Sequence, residues 1–102
     1  MKYDKLVRDN IPKKIADSGK KAIFRAASES ELKVYLRNKL TEEVAEYLES
    51  EKIDELVDIY EVLAALAGLH GRSLDQLDAL ATDKRFASGG FRNRIILLEV
   101  ED

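Results

Sequence analysis

From Leu40 to Tyr60 the chain reads L-T-E-E-V-A-E-Y-L-E-S-E-K-I-D-E-L-V-D-I-Y, two helical stretches separated by a short polar break. Each stretch carries two acids three residues apart: Glu43 and Glu46 on the first, Glu55 and Asp58 on the second. Residues at i and i+3 share a helix face, so folding the two stretches antiparallel across a short turn brings the pairs together. Four ionised carboxylates in one small volume repel one another, and burial raises the cost. Such a cluster persists only if protons or bound cations neutralise part of its charge.

The apolar pattern places these acids. At about 100° per residue, Leu36, Leu40 and Tyr47 point close to the direction of Glu43, so this acid lies inside an apolar stripe. From Ile53 to Leu69 the second helix is apolar nearly all round, with Leu56, Val57, Ile59, Tyr60, Val62, Leu63 and Leu66, the pattern of a buried helix. Its acids Asp54, Glu55, Asp58 and Glu61 fall on one side. Two arrangements satisfy them: a divalent cation, or ion pairs with Lys and Arg of a neighbouring helix.

With 102 residues the chain is read as one domain, 1–102, of a size that buries little more than about 60% of its unfolded surface. A helix without a polar face is hard to cover in so short a chain. A homodimer or a dimer of dimers is therefore expected, with part of the site completed by the partner subunit. The absence of cysteine excludes disulfides and thiolate chemistry. No apolar run approaches a membrane span, and M-K-Y-D-K-L lacks a signal-peptide core, so the expectation is a soluble cytoplasmic protein without membrane association.

Charge is unevenly spread. Residues 1–39 hold 11 Lys and Arg against 5 acids, residues 40–83 hold 2 against 12, and residues 84–102 hold 4 against 3. An acidic middle with basic flanks suits a cation held centrally and an anionic ligand gripped from the sides. Nucleic acid is the weaker partner, because the total is acidic and no reading helix with aromatic interleaving is present.

Taken in order, Lys5 and Arg8 are interleaved with Leu6 and Val7 near the start. Asn10 and Pro12 then signal a short helix from Ile11 to Asp17, stopped at Ser18-Gly19. Residues 21–27, K-A-I-F-R-A-A, read as a weak strand. Ser28 or Ser30 caps the first long helix, which runs to about Glu49, and Lys39 on it either pairs with Glu42 and Glu43 or reaches a phosphate. The second long helix ends at His70-Gly71, with His70, the only histidine, read as structural. One His, no Cys and many carboxylates leave the oxygen-loving cations, Mg²⁺ first and Mn²⁺ next. Ser73 to Gln76 is a capping box that opens a third long helix, with Leu74, Leu77, Leu80 and Ala81 inward, ending near Lys84-Arg85. The loop F-A-S-G-G-F-R-N-R follows, its Gly89-Gly90 pair flanked by Lys84, Arg85, Arg92 and Arg94, a composition that can close on an anion. Residues 94–100, R-I-I-L-L-E-V, form the best strand pattern and are expected to pair with 21–27. Two strands alone are marginal in water, so they must pack on the helices or across a subunit boundary. The fold class expected is mainly α, an antiparallel helical bundle with a small two-stranded β element.

The motif T-E-E-V-A-E at Thr41–Glu46 followed by E-L-V-D at Glu55–Asp58 resembles the E-E-x-x-E and E-x-x-D signature of the all-α nucleoside triphosphate pyrophosphohydrolase superfamily, which includes MazG-like proteins. The opening Y-D-K-L-V-R-D-N-I-P at Tyr3–Pro12 and the G-G-F at Gly89–Phe91 are similar to a MazG-like subgroup labelled phosphoribosyl-ATP pyrophosphohydrolase-like. The resemblance spans nearly the whole chain. It implies Mg²⁺-dependent cleavage between the α- and β-phosphates of a nucleotide, possible also with Mn²⁺, giving a monophosphate and pyrophosphate. By position it implies Glu43, Glu46, Glu55 and Asp58 as metal ligands, with Glu42 beside them either supporting those ligands from behind or acting as helper base. The catalytic group is then Glu42, Glu43 and Glu46, and the substrate-binding cations are Lys5, Arg8, Lys39, Lys84, Arg85 and Arg92. Ser88 stands where the subgroup often has a basic residue, which shifts the phosphate-gripping role toward Arg85 or Arg92. The alternatives are phosphoribosyl-ATP as substrate, or a non-catalytic helical dimerisation or regulatory module.

Overall fold

The computed structural model describes residues 2–102. Among them are four helices, α1 (Ile11–Asp17), α2 (Glu29–Ser50), α3 (Ile53–Leu69) and α4 (Leu74–Ser88), joined by irregular segments. Helix α1 carries Pro12 in its first turn, where the missing N–H has no partner to lose. Asn10 contributes only its backbone: its side chain makes no cap bond, and its carbonyl accepts from Lys14 N–H at 3.0 Å.

The two capping boxes fix the starts of α2 and α4. Ser28 Oγ accepts from Glu31 N–H at 3.2 Å while Glu31 Oε1 accepts from Ser28 N–H at 3.0 Å. Ser73 and Gln76 repeat the exchange at 3.1 and 2.8 Å, satisfying helix-end donors that would otherwise need water. Helix α2 stops at Glu51, which takes a left-handed φ of 55° and donates its N–H to the Tyr47 carbonyl at 2.7 Å. Only Glu51 and Lys52 separate α2 from α3, so the two helices fold back on each other as a hairpin. Leu36 of α2 and Val62 and Ala67 of α3 are buried, as is Glu43, and α4 packs on α3.

Three expectations need correction. Residues 21–27 and 94–100 are irregular, and no strand is present among the described residues; Arg94, where the second pattern begins, takes a left-handed φ of 55°. Ile23 is 94% exposed and Leu98 90%, so neither segment has the cover that a two-stranded ribbon requires. Helix α4 continues to Ser88 rather than ending at Lys84-Arg85, because nothing breaks it before Gly89, where φ is 83°. Leu74 and Leu77 of α4 are half-buried, whereas Leu80 and Ala81 are exposed and not inward.

A single chain also fails to cover α3. Leu56, Val57, Tyr60, Leu63 and Leu69 all remain exposed, against the buried pattern their helix carries. The accessible surface is 9621 Å², where a compact monomer of 11.5 kDa has about 5,800 Å². The radius of gyration of 18.2 Å likewise exceeds the value of about 13 Å for a compact domain of this length. No helix among the described residues is long and apolar enough to cross a membrane.

Candidate metal centre

The α2–α3 hairpin sets the acids. Glu43 faces the seam and is only 5% exposed, held there by the apolar stripe in which it stands. Oxygens of Glu43, Glu55 and Asp58, across the hairpin, lie within 4.8 Å of one another. Oxygens of Glu42, Glu43 and Glu46, along one helix, do the same. Glu43 is the shared member of both triads. Its Oε1 lies 3.4 Å from Lys39 Nζ, while its Oε2 is buried with no hydrogen-bond partner.

Three cations reach this group. Lys39 Nζ donates to Glu42 Oε2 at 3.2 Å in addition to its contact with Glu43, so its pairs along α2 are formed. Lys5 Nζ lies 3.3 Å from Glu42 Oε1 and 5.6 Å from the centroid of the Tyr3 ring. Arg8 Nη2 donates to Asp58 Oδ1 at 2.8 Å. Of the substrate-binding cations expected from sequence, Lys5, Arg8 and Lys39 therefore stand at the carboxylates. Lys84, Arg85 and Arg92 sit at the end of α4 and on the loop beyond, and no ion pair joins them to the cluster.

The electrostatics separate neighbouring acids. Burial pushes the Glu43 carboxyl above the usual carboxylate range, and the nearby Glu46 adds to this against the pull of Lys39. Burial also works to raise Glu42, but the hydrogen bonds from Lys39 and Lys5 outweigh it and hold that carboxyl low. Lys39 shows the reciprocal balance: burial works to lower it, and Glu42 and Glu43 together raise it. Glu42 is thus ionised and satisfied, while Glu43 is strained toward taking up a proton or a cation.

Five carboxylates (Glu42, Glu43, Glu46, Glu55, Asp58) meet three cations (Lys5, Arg8, Lys39). With every acid ionised the group is left two negative charges in excess, the charge of one divalent ion. The donor set is all oxygen, which suits Mg²⁺ or Mn²⁺, and Glu43 Oε2 is a buried acceptor with no hydrogen-bond partner. The residues present fit such an ion.

No family model, curated protein or solved structure matches the chain. The site must be read from its own groups.

Sequence reasoning missed the ties that hold the amino-terminal segment beside the site. Tyr35 Oη donates to Asp4 Oδ1 at 2.6 Å, and Arg25 grips Glu31 through two bonds of 3.0 and 2.7 Å and reaches Tyr35 Oη at 3.4 Å. The Arg25–Glu31 fork has a faint signal, since Glu31 is already fixed by the Ser28 capping box. The Tyr35–Asp4 bond, between residues 31 positions apart, has none.

Proposed function

We propose that this protein is a divalent-cation-dependent nucleotide pyrophosphohydrolase. It cleaves the α–β phosphoanhydride of a nucleoside triphosphate, ordinary or modified, to a monophosphate and pyrophosphate, and it works in the cytoplasm as a homodimer or a dimer of dimers. The observation that carries this reading is Glu43: a buried carboxylate, one oxygen unpartnered, at the junction of two carboxylate triads with net negative charge in excess. A buried unpaired charge is among the costliest features a small protein can keep, and a resident cation removes that cost. The large uncovered apolar surface supports the oligomer.

Glu43, Glu46, Glu55 and Asp58 would hold Mg²⁺, with Mn²⁺ as substitute. Once bound, the ion would supply Lewis-acid polarisation and neutralise charge on the departing pyrophosphate. The chain's own groups do the rest. Lys5, Arg8 and Lys39, which now pair with carboxylates, form a cationic rim able to exchange those oxygens for phosphate oxygens, as the growing charge on the leaving group requires. The proton of an attacking water would pass to one of Glu42, which Lys39 and Lys5 keep ionised, Glu46 or Glu61. No Ser, Cys or His nucleophile is called for.

The direct test incubates the protein with Mg²⁺ and a panel of ordinary and modified nucleoside triphosphates, and phosphoribosyl-ATP, and resolves the products. Monophosphate with pyrophosphate supports the proposal; orthophosphate, or no turnover across the panel, overturns it. A second reading, a non-catalytic helical dimerisation or regulatory module, is favoured by the ion pairs of Arg8 with Asp58 and Lys5 with Glu42. Melting with and without Mg²⁺ separates the two. A site that binds cation only when folded raises the melting temperature, whereas a self-satisfied salt-bridge network does not respond.

A further inference from the structure

Two uncovered features of this chain complement each other. The first is a groove of about 410 Å³ between α3 and α4, walled by Tyr60, Leu63, Leu74 and Leu77 and edged by Asp75 and Asp78. The second is the carboxyl-terminal arm. After the turn at Phe91, where Arg94 N–H donates to the Phe91 carbonyl at 3.1 Å, the arm carries no regular structure, and Ile95, Ile96, Leu97 and Leu98 are each at least 77% exposed. Arg92 and Arg94 lie at the head of this apolar run. We infer that, in the oligomer, the arm of one copy lies in the α3–α4 groove of a second copy, Ile95–Leu98 against the leucines and Arg92 and Arg94 against Asp75 and Asp78.

Three observations carry this, together with the homo-oligomer reading on which it rests. The surface in excess of a compact monomer is roughly 3,800 Å² per chain, so two copies together hold more than enough to supply the roughly 2,000–5,000 Å² in total that obligate homodimer interfaces bury. Four consecutive aliphatic residues and a groove with leucine walls are both left in water by one chain, and an exchange related by a two-fold axis covers both on both copies at once. The charges match in sign: two acids edge the groove, two arginines head the arm, and among the described residues none of Asp75, Asp78, Arg92 and Arg94 has an ion-pair partner.

The absence of cysteine makes the test clean. Full-length Leu77→Cys and Ile96→Cys are prepared separately, mixed under mild oxidation, and compared with each variant oxidised alone, while light scattering follows the mass of the unmodified protein. The expected result is a dimer by scattering and a mixed disulfide at several times the yield of either variant alone, since bridging requires Cα atoms within about 7 Å. Asp78→Lys is expected to weaken dimerisation about tenfold, and Arg94→Asp in the same chain to restore it. A dimer without the mixed disulfide, or with Asp78→Lys silent, overturns the arm exchange while leaving the oligomer intact. A monomer at all concentrations overturns the oligomer itself.

Discussion

Glu43 concentrates the conflict that the site depends on. Its carboxylate is nearly excluded from water, has one oxygen bonded by Lys39 and the other bonded by nothing. Leaving a buried polar group unsatisfied costs about 1–3 kcal/mol, more when it is charged. Glu43→Gln removes the charge and keeps the shape, so without metal the variant should be more stable by about 1 kcal/mol, or roughly 4–8 °C in melting temperature for a domain this size. It should also lose the Mg²⁺ response, which for the natural chain amounts to about 2.7 kcal/mol at a hundredfold excess of cation over its Kd. Melting curves of both proteins with and without Mg²⁺ decide the point; a destabilised Glu43→Gln that still responds to Mg²⁺ would remove Glu43 from the ligand set. A contrasting residue is Glu31, whose carboxyl is drawn from the ordinary 4.5 to about 2 by the Arg25 fork and by the Ser28 cap. A depressed folded-state value means stability present above pH 4.5 and lost as pH falls toward about 2. Arg25→Gln should flatten that acid limb in a series of melts, by a small margin that shrinks further in salt, because the pair is exposed. Of these two acids, the inward placement of Glu43 was legible from its alignment with Leu36, Leu40 and Tyr47. The Arg25 fork was not, because an irregular segment carries no periodicity that points a side chain.

At the level of elements, the helices follow from local chemistry. The Ser28–Glu31 and Ser73–Gln76 boxes are visible as sequence and form as hydrogen bonds, and replacing either serine with alanine should destabilise by about 1 kcal/mol. The junction between α2 and α3 is less orthodox, since Glu51 occupies a left-handed conformation that L side chains rarely adopt. Glycine carries no penalty there, so Glu51→Gly should stabilise by roughly 0.5–1 kcal/mol, read as a higher midpoint in urea with an unchanged slope. A loss of stability would mean that the Glu51 side chain makes a contact worth more than the backbone strain. The sequence marks this break by its polarity alone. It holds no glycine to announce the reversal, so the hairpin had to be inferred from two apolar patterns and not from turn residues. The two β-rich segments failed for a different reason. Their composition favours extended backbone, but a strand depends on a pairing neighbour that propensity does not supply, and both segments are irregular.

For the whole molecule, the decisive quantity is surface. A helix apolar on all sides predicts its own burial, yet α3 leaves Leu56, Val57, Tyr60 and Leu63 in water, and the chain as a whole exposes far more area than a compact domain of its mass. Periodicity reports that a face must be covered; it does not say whether the cover comes from the same chain. If a second copy supplies it, folding and association are one equilibrium and the melting temperature must rise with concentration. Taking about 0.7 kcal/mol of unfolding enthalpy per residue, two chains of this length give roughly 140 kcal/mol, and a tenfold dilution should then lower the melting temperature by about 3–4 °C. Scans over a hundredfold range of protein concentration measure this slope directly. A melting temperature independent of concentration would show that one chain is stable with its apolar faces in water, and the partner-completed arrangement would have to be abandoned even if the carboxylates around Glu43 still bound their cation.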